Sequence, residues 1–151
     1  SHAAQQAQRI CSRRLANSAA AWWIGARRRG LTVRKARTVI IYKICPALLW
    51  RAAERVGVFR GSEVDLRDGF IHFSSAAQVV ETAGKHFAGQ SDLLLVRIDS
   101  AKLGDSLKWE PSRGGALFPH LYGDLDLTAV TRVEPLPLGP GGRHVFPALD
   151  D

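Results

Sequence analysis

Methionine is absent from the 151 residues, cysteine occurs only twice, and residues 1–38 contain no acidic side chain. Cys11 and Cys45 provide neither the disulfide framework of a small secreted domain nor the paired spacing of a zinc ribbon, so a reducing cytoplasm is the expected compartment. No apolar run approaches the roughly 18 residues of a membrane span. The longest near the start, Ala19–Ala26, runs straight into Arg27, Arg28 and Arg29, which excludes a span and argues against a signal peptide. A Walker loop, a dinucleotide fingerprint, a nucleophile elbow and the H-E-x-x-H pair are all missing, and no metal site is expected.

What is there reads as one α+β domain with an added leader. Hydrophobic residues make up 46% and charged residues 23%, the balance of an ordinary globular domain. The net charge of +7 is lopsided: residues 1–38 hold nine Lys or Arg, leaving twelve basic against fourteen acidic residues in the rest. Residues 1–38 are therefore taken as a basic Arg/Ala-rich leader, disordered or a non-native extension, its Ser-His opening pointing to a trimmed start. Nucleic acid is expected to bind only through this leader, if at all. Trp22 and Trp23 diverge by about 100° on a helix and make no single aromatic face. Residues 39–136 form the domain, and the Pro/Gly-rich residues 137–151 are expected to wrap its surface as an extended tail.

Val39–Ile44 is a β-branched run of strand length, and Leu93–Ile98 is an almost continuous apolar run, the pattern of a strand covered on both faces. Between them, Leu48, Leu49, Ala52, Ala53 and Val56 recur at helical spacing between Pro46 and Gly57. A second helical stripe, Ala76 to Phe87, follows Ser74 and Ser75 and ends near Gly89. The polar stretch from Phe59 to Asp68 reads as turns leading into a short strand, Gly69–Phe73. Further short strands are expected at 107–110, 118–122 and 130–133, with a mobile loop over Ser112–Ala116. Strand, helix, strand, helix, then several strands is the order of an α+β fold.

Three histidines fall inside the domain. His86, near a helix C-terminus, reads as structural or solvated. His72 shares an alternation face with Phe70 and Ser74, opposite Ile71 and Phe73, so it is either a bonded core ring or part of a cleft. His120 stands with Tyr122 and Gly123 at the start of a strand. Glu110, between Trp109 and Pro111, is a carboxylate in apolar company, suited to proton transfer or to a sugar hydroxyl if buried and to plain solvation if not. Tyr42 and Lys43 alternate, so only one can face any given side, and a salt-bridged Lys43 is the plain reading.

The strings Ile41-Tyr42-Lys43-Ile44, Asp68-Gly69-Phe70-Ile71-His72-Phe73-Ser74, Trp109-Glu110 and Phe118-Pro119-His120-Leu121-Tyr122-Gly123 together resemble the bacterial family called domain of unknown function 952. The resemblance covers roughly residues 39–136. It implies an ADP-ribosyltransferase-like fold, split antiparallel sheets with two main helices, and a cleft that takes NAD or ADP-ribose as substrate or ligand. On that pattern Tyr42 or Lys43 meets the adenosine ribose, His72 stands where an aromatic ring packs the nicotinamide ribose, and Ser74 follows it. Glu110 or His120 would act at the reactive ribose, Arg113 or Lys43 would meet the pyrophosphate, and Tyr122 would line the same cleft. The resemblance therefore implies a nucleotide-binding module, with an NAD-dependent ADP-ribosyltransferase or NAD glycohydrolase as the alternative.

Overall fold

The computed structural model describes residues 38–150; the leader reading for residues 1–37, including Trp22 and Trp23, and the terminal Asp151 lie outside the described residues. Eight strands and three α-helices are found in the described part. In chain order they are β1 (Ile40–Pro46), α1 (Ala47–Val56), β2 (Val58–Phe59), α2 (Glu63–Asp68), β3 (Ile71–His72), α3 (Val79–His86), β4 (Leu93–Asp99), β5 (Leu107–Pro111), β6 (Leu117–Leu121), β7 (Leu125–Asp126) and β8 (Val130–Leu136). Every pairing is antiparallel: β1-β4-β8, β3-β6-β5 and the short ladder β2-β7. The architecture is α+β.

The apolar run of β4 is the middle strand of its sheet, and alternation divides its side chains between two cores. Leu94, Val96 and Ile98 join Ile41 and Cys45 of β1 in a core that also takes Trp50, Phe59, Ile71, Phe73 and Leu121. Leu93 and Leu95 join Tyr42 and Ile44 on the opposite face, against Val79 and Ala83 of α3 and Leu136. A sheet covered on both faces needs apolar residues at successive positions, hence the loss of alternation in the sequence.

Helix α1 ends on Gly57, whose φ of 86° is the left-handed cap and whose N–H donates to the Ala53 carbonyl. Its inward face is Trp50 and Ala53; Leu48 and Val56, which the apolar spacing assigns to the core, are exposed, because Trp50 packs tilted on Phe59 and fixes the helix by that face. Helix α2 stands where turns are expected from the sequence. Ser62 and Asp65 form a reciprocal capping box, and Gly69 closes the helix at φ 85°. Its Val64 and Leu66 are exposed, so it carries no apolar stripe to announce it. Helix α3 starts at Val79, later than its apolar pattern, since Ser75 and Gln78 close a turn through Gln78 N–H to the Ser75 carbonyl and Ser75 N–H to Gln78 Oε1.

Residues 137–150 lie along the second core. Phe146 and Leu149 pack against it, and the Tyr42 hydroxyl donates to the Asp150 carbonyl and accepts from its N–H. Buried Arg97 holds the same segment through Asp150 Oδ2 at 2.6 Å and the Ala148 carbonyl at 2.7 Å, with Glu134 on its Nε. Among the described residues no helix is long and apolar enough to cross a membrane.

Candidate functional site

The sheet β3-β6-β5 has two unlike faces. Ile71, Phe73 and Leu121 alternate inward to the first core with Leu107 packed beside them. The residues between them point the other way: His72 of β3 lies opposite His120 of β6, and His120 lies opposite Lys108 of β5, with Glu110 opposite Phe118 one pleat further on. Facing residues in an antiparallel pair share a face, so alternation and this register together assemble His72, His120, Lys108, Glu110 and Phe118 on one surface.

Aromatic rings pave this surface. Phe70 stacks on His120 with centroids 4.2 Å apart and 24° between planes, and it also touches His72 at 4.6 Å and Tyr122 at 5.3 Å. The two imidazoles meet edge-on at 5.4 Å. Glu110 reaches back across the strand pair so that one oxygen, Oε1, accepts from the Tyr122 hydroxyl at 2.7 Å and bonds His120 Nδ1 at 3.0 Å. The bond from Tyr122, then that from His120, holds the Glu110 carboxyl below the usual carboxylate range, and the same contact raises the Tyr122 phenol. Glu110 is therefore an ionised carboxylate at the open edge of the face.

Beneath His72 lies a buried polar network. Asp65 of α2 accepts four hydrogen bonds: Lys43 Nζ at 2.7 Å and the Ser62 N–H at 2.8 Å on Oδ2, His72 Nδ1 at 2.7 Å and the His72 N–H at 3.1 Å on Oδ1. Burial works against ionising Asp65, but the bond from His72 and the charge of Lys43 outweigh it and keep the carboxyl well below its ordinary value. Burial also lowers the Lys43 ammonium, against the pull of Asp65. Gly61 permits this packing: its φ is 120°, and a Cβ there would lie 2.8 Å from Asp65 Cβ. On its outer side, His72 Nε2 is 3.1 Å from Oδ2 of the more exposed Asp68.

The residues singled out from the sequence separate into three groups. Glu110, His120, His72 and Tyr122 come together on the polar face. Lys43 lies below it, its charge spent on Asp65, so it is not free to meet a phosphate. Tyr42 points to the opposite face of β1, where its hydroxyl is engaged by Asp150, and alternation forbids it from joining Lys43. Ser74 is buried beside α3, bonded through Oγ to Thr82 Oγ1, and Arg113 reaches that same hydroxyl at 3.3 Å while its guanidinium lies over the Phe118 ring at 5.3 Å. Arg113 thus borders the face, and Lys108 borders it elsewhere, its ammonium 5.7 Å from the Tyr122 ring centre. His86 is exposed at the end of α3 and makes no part of the cluster; burial, then the charges of Arg113 and Lys85, lower its imidazole.

Asp65, Phe70 and Lys108 are site residues that the sequence patterns did not single out, Lys108 with no signal of its own. The Ser62-x-x-Asp65 spacing was the available signal for the first, and the shared alternation face of Phe70 and His72 for the second. A depression of about 170 Å3, lined by Arg60, Leu66, Gly69, Phe70, Gly123 and Asp124 among others, adjoins the cluster through Phe70. Among the described residues no group of three His, Cys, Asp or Glu side chains is placed to hold a metal ion.

This arrangement belongs to a fold that recurs elsewhere. The crystal structure of protein CC0527 from Caulobacter crescentus is similar at 50% sequence identity and a TM-score of 0.69, over 70% of this chain and 93% of that one. The solution NMR structure of the same protein gives 51% identity and a TM-score of 0.63, over 69% and 90% of the two chains. No curated protein matches the chain. The family model described as "Protein of unknown function (DUF952)" matches residues 44–133, a stretch running from β1 to β8 that contains all of the polar face, and by that match the chain belongs to the DUF952 family.

Proposed function

We propose that the polar face of the β3-β6-β5 sheet binds a nucleotide of the NAD or ADP-ribose type, on an ADP-ribosyltransferase-like arrangement of split antiparallel sheets. The observation that carries this reading is the convergence of Glu110, His120 and Tyr122 beside the stacked rings of Phe70, His120 and His72. Of these rings, Phe70 and the part-exposed His72 are open to a base or a nicotinamide while His120 backs them from beneath, and stacking on such platforms is sequence-tolerant and worth about 1–3 kcal/mol per base. Glu110 Oε1 is fully used, which leaves Oε2 as an acceptor for a ribose hydroxyl. Lys108 and Arg113 flank the rings and supply positive charge for phosphates, the role that Lys43 is unable to take. A cytoplasmic setting fits the free, buried thiol of Cys45.

A second reading, NAD glycohydrolysis or ADP-ribosyl transfer, is favoured by one feature. The carboxylate that chain order places upstream of His120 folds back to touch it. In this reaction the bond between the ribose C1′ and the nicotinamide nitrogen breaks, the electron pair leaves with nicotinamide, and water or an acceptor oxygen closes on C1′ and loses its proton. Ionised Glu110 would stabilise the positive charge that develops on the ribose, which a neutral imidazole does not.

The two readings separate in one experiment on the full chain. Calorimetric titration with NAD and with ADP-ribose is followed by chromatography of the same samples for nicotinamide. Binding without release supports the binding module, and release that Glu110→Gln abolishes supports the enzyme. Absence of binding by both ligands removes the nucleotide reading.

A further inference from the structure

The buried network under His72 centres on Asp65. Asp65 is nearly inaccessible and receives four donors on two oxygens, so it is an ionised, acceptor-only group. A ring nitrogen 2.7 Å from such an oxygen must carry the hydrogen, which places a proton on His72 Nδ1. Lys43 supplies the counter-charge from β1, and the Ser62 N–H locks the second oxygen as half of the capping box. With Nδ1 anchored and Phe70 and His120 against the ring, Nε2 is turned outward, 3.1 Å from the exposed Asp68, a contact that is a hydrogen bond when the ring carries both protons and leaves Nε2 as an acceptor when the ring is neutral.

We propose that Asp65, with Lys43 as its counter-ion, is a positioning residue that holds His72 with Nδ1 protonated and Nε2 turned to the polar face, where the bare Nε2 of the neutral ring accepts a hydrogen bond from a ligand hydroxyl. This rests on the nucleotide-binding reading for the ligand only; the state of the ring is a property of the free protein. Neither Asp65 nor Lys43 touches the ligand. Their effect is to remove the ring's choice of tautomer and of orientation before binding, so that no ordering cost is paid on association.

The test uses the full chain labelled with 15N-histidine. Two-bond 1H–15N correlation spectra, recorded at a pH where the rings are neutral, are expected to show His72 with a protonated Nδ1, and Nε2–H instead overturns the proposal. In the double variant Lys43→Met/Asp65→Leu, which strands no buried charge, the Nδ1 signature is expected to vanish and ADP-ribose affinity to fall roughly tenfold. An unchanged tautomer and affinity in that variant also overturn the proposal. A variant that does not fold leaves the wild-type spectrum to decide. If ADP-ribose fails to bind the wild type while the Nδ1 signature is present there and lost in the variant, the nucleotide reading falls and the positioning of His72 stands.

Discussion

Replacing Asp65 by leucine strands the Lys43 ammonium in the first core. Both side chains are almost fully buried and 2.7 Å apart, so the uncompensated charge costs about 3–5 kcal/mol, a large part of a typical domain's stability. Lys43→Met is milder. Asp65 keeps the Ser62 N–H and both His72 donors, and the loss is one charge-assisted bond, about 1.5–3 kcal/mol. The double variant leaves the same three donors of Ser62 and His72 without an acceptor as Asp65→Leu does but relieves the stranded charge, so it is expected to be more stable than Asp65→Leu alone. Urea unfolding of the four proteins measures this as midpoint shifts at constant slope. Additivity of the two single effects to within about 0.5 kcal/mol would mean that the two charges do not sense each other, contrary to a buried pair.

Three further outcomes follow from the same structure. Because the folded Asp65 carboxyl sits below its unfolded value, its stabilisation is present above about pH 4 and declines as the pH falls toward the depressed folded value; acid unfolding of Lys43→Met/Asp65→Leu is expected to be less steep in that window than that of the wild type. The Cys45 thiol, pushed up to about 12 by burial, is expected to resist a thiol reagent at pH 8 in a Cys11→Ser background and to react on unfolding, and rapid native labelling would contradict its placement. Tyr122→Phe removes one of two donors to Glu110, so the Glu110 carboxyl is expected to titrate closer to an ordinary glutamate, read by 13C NMR of the side chain; no movement would mean that the phenol does not hold it.

Local chemistry made much of the β1-β4-β8 sheet legible in the sequence. β1 and β4 announce themselves because a strand buried on both faces has no polar alternation to hide it. α2 does not, since its two apolar residues are exposed and only a capping box marks its start. The one buried residue of α2, Asp65, is polar, and its partner Lys43 is 22 residues earlier, a pairing that no local pattern reveals. Alternation predicts that Tyr42 and Lys43 face opposite ways, and the core packing decides which is which: Tyr42 spans to the C-terminal segment, Lys43 to α2. The return of Glu110 to His120 depends on the β5–β6 register, set by the loop at 112–116, where Gly114 and Gly115 both adopt positive φ. Sequence alternation could place each of these side chains on a face but not opposite its neighbour.

We propose that a nucleotide binds on the face built from Phe70, His72, Glu110, His120 and Tyr122. The most direct test is a titration of the 15N-labelled full chain with ADP-ribose, followed by amide and imidazole correlation spectra. Saturable shifts concentrated on β3, on β6 and around Glu110, and lost in His120→Ala, are the predicted result. Shifts that are absent, or that fall on the Tyr42 side of the β1-β4-β8 sheet, would contradict it.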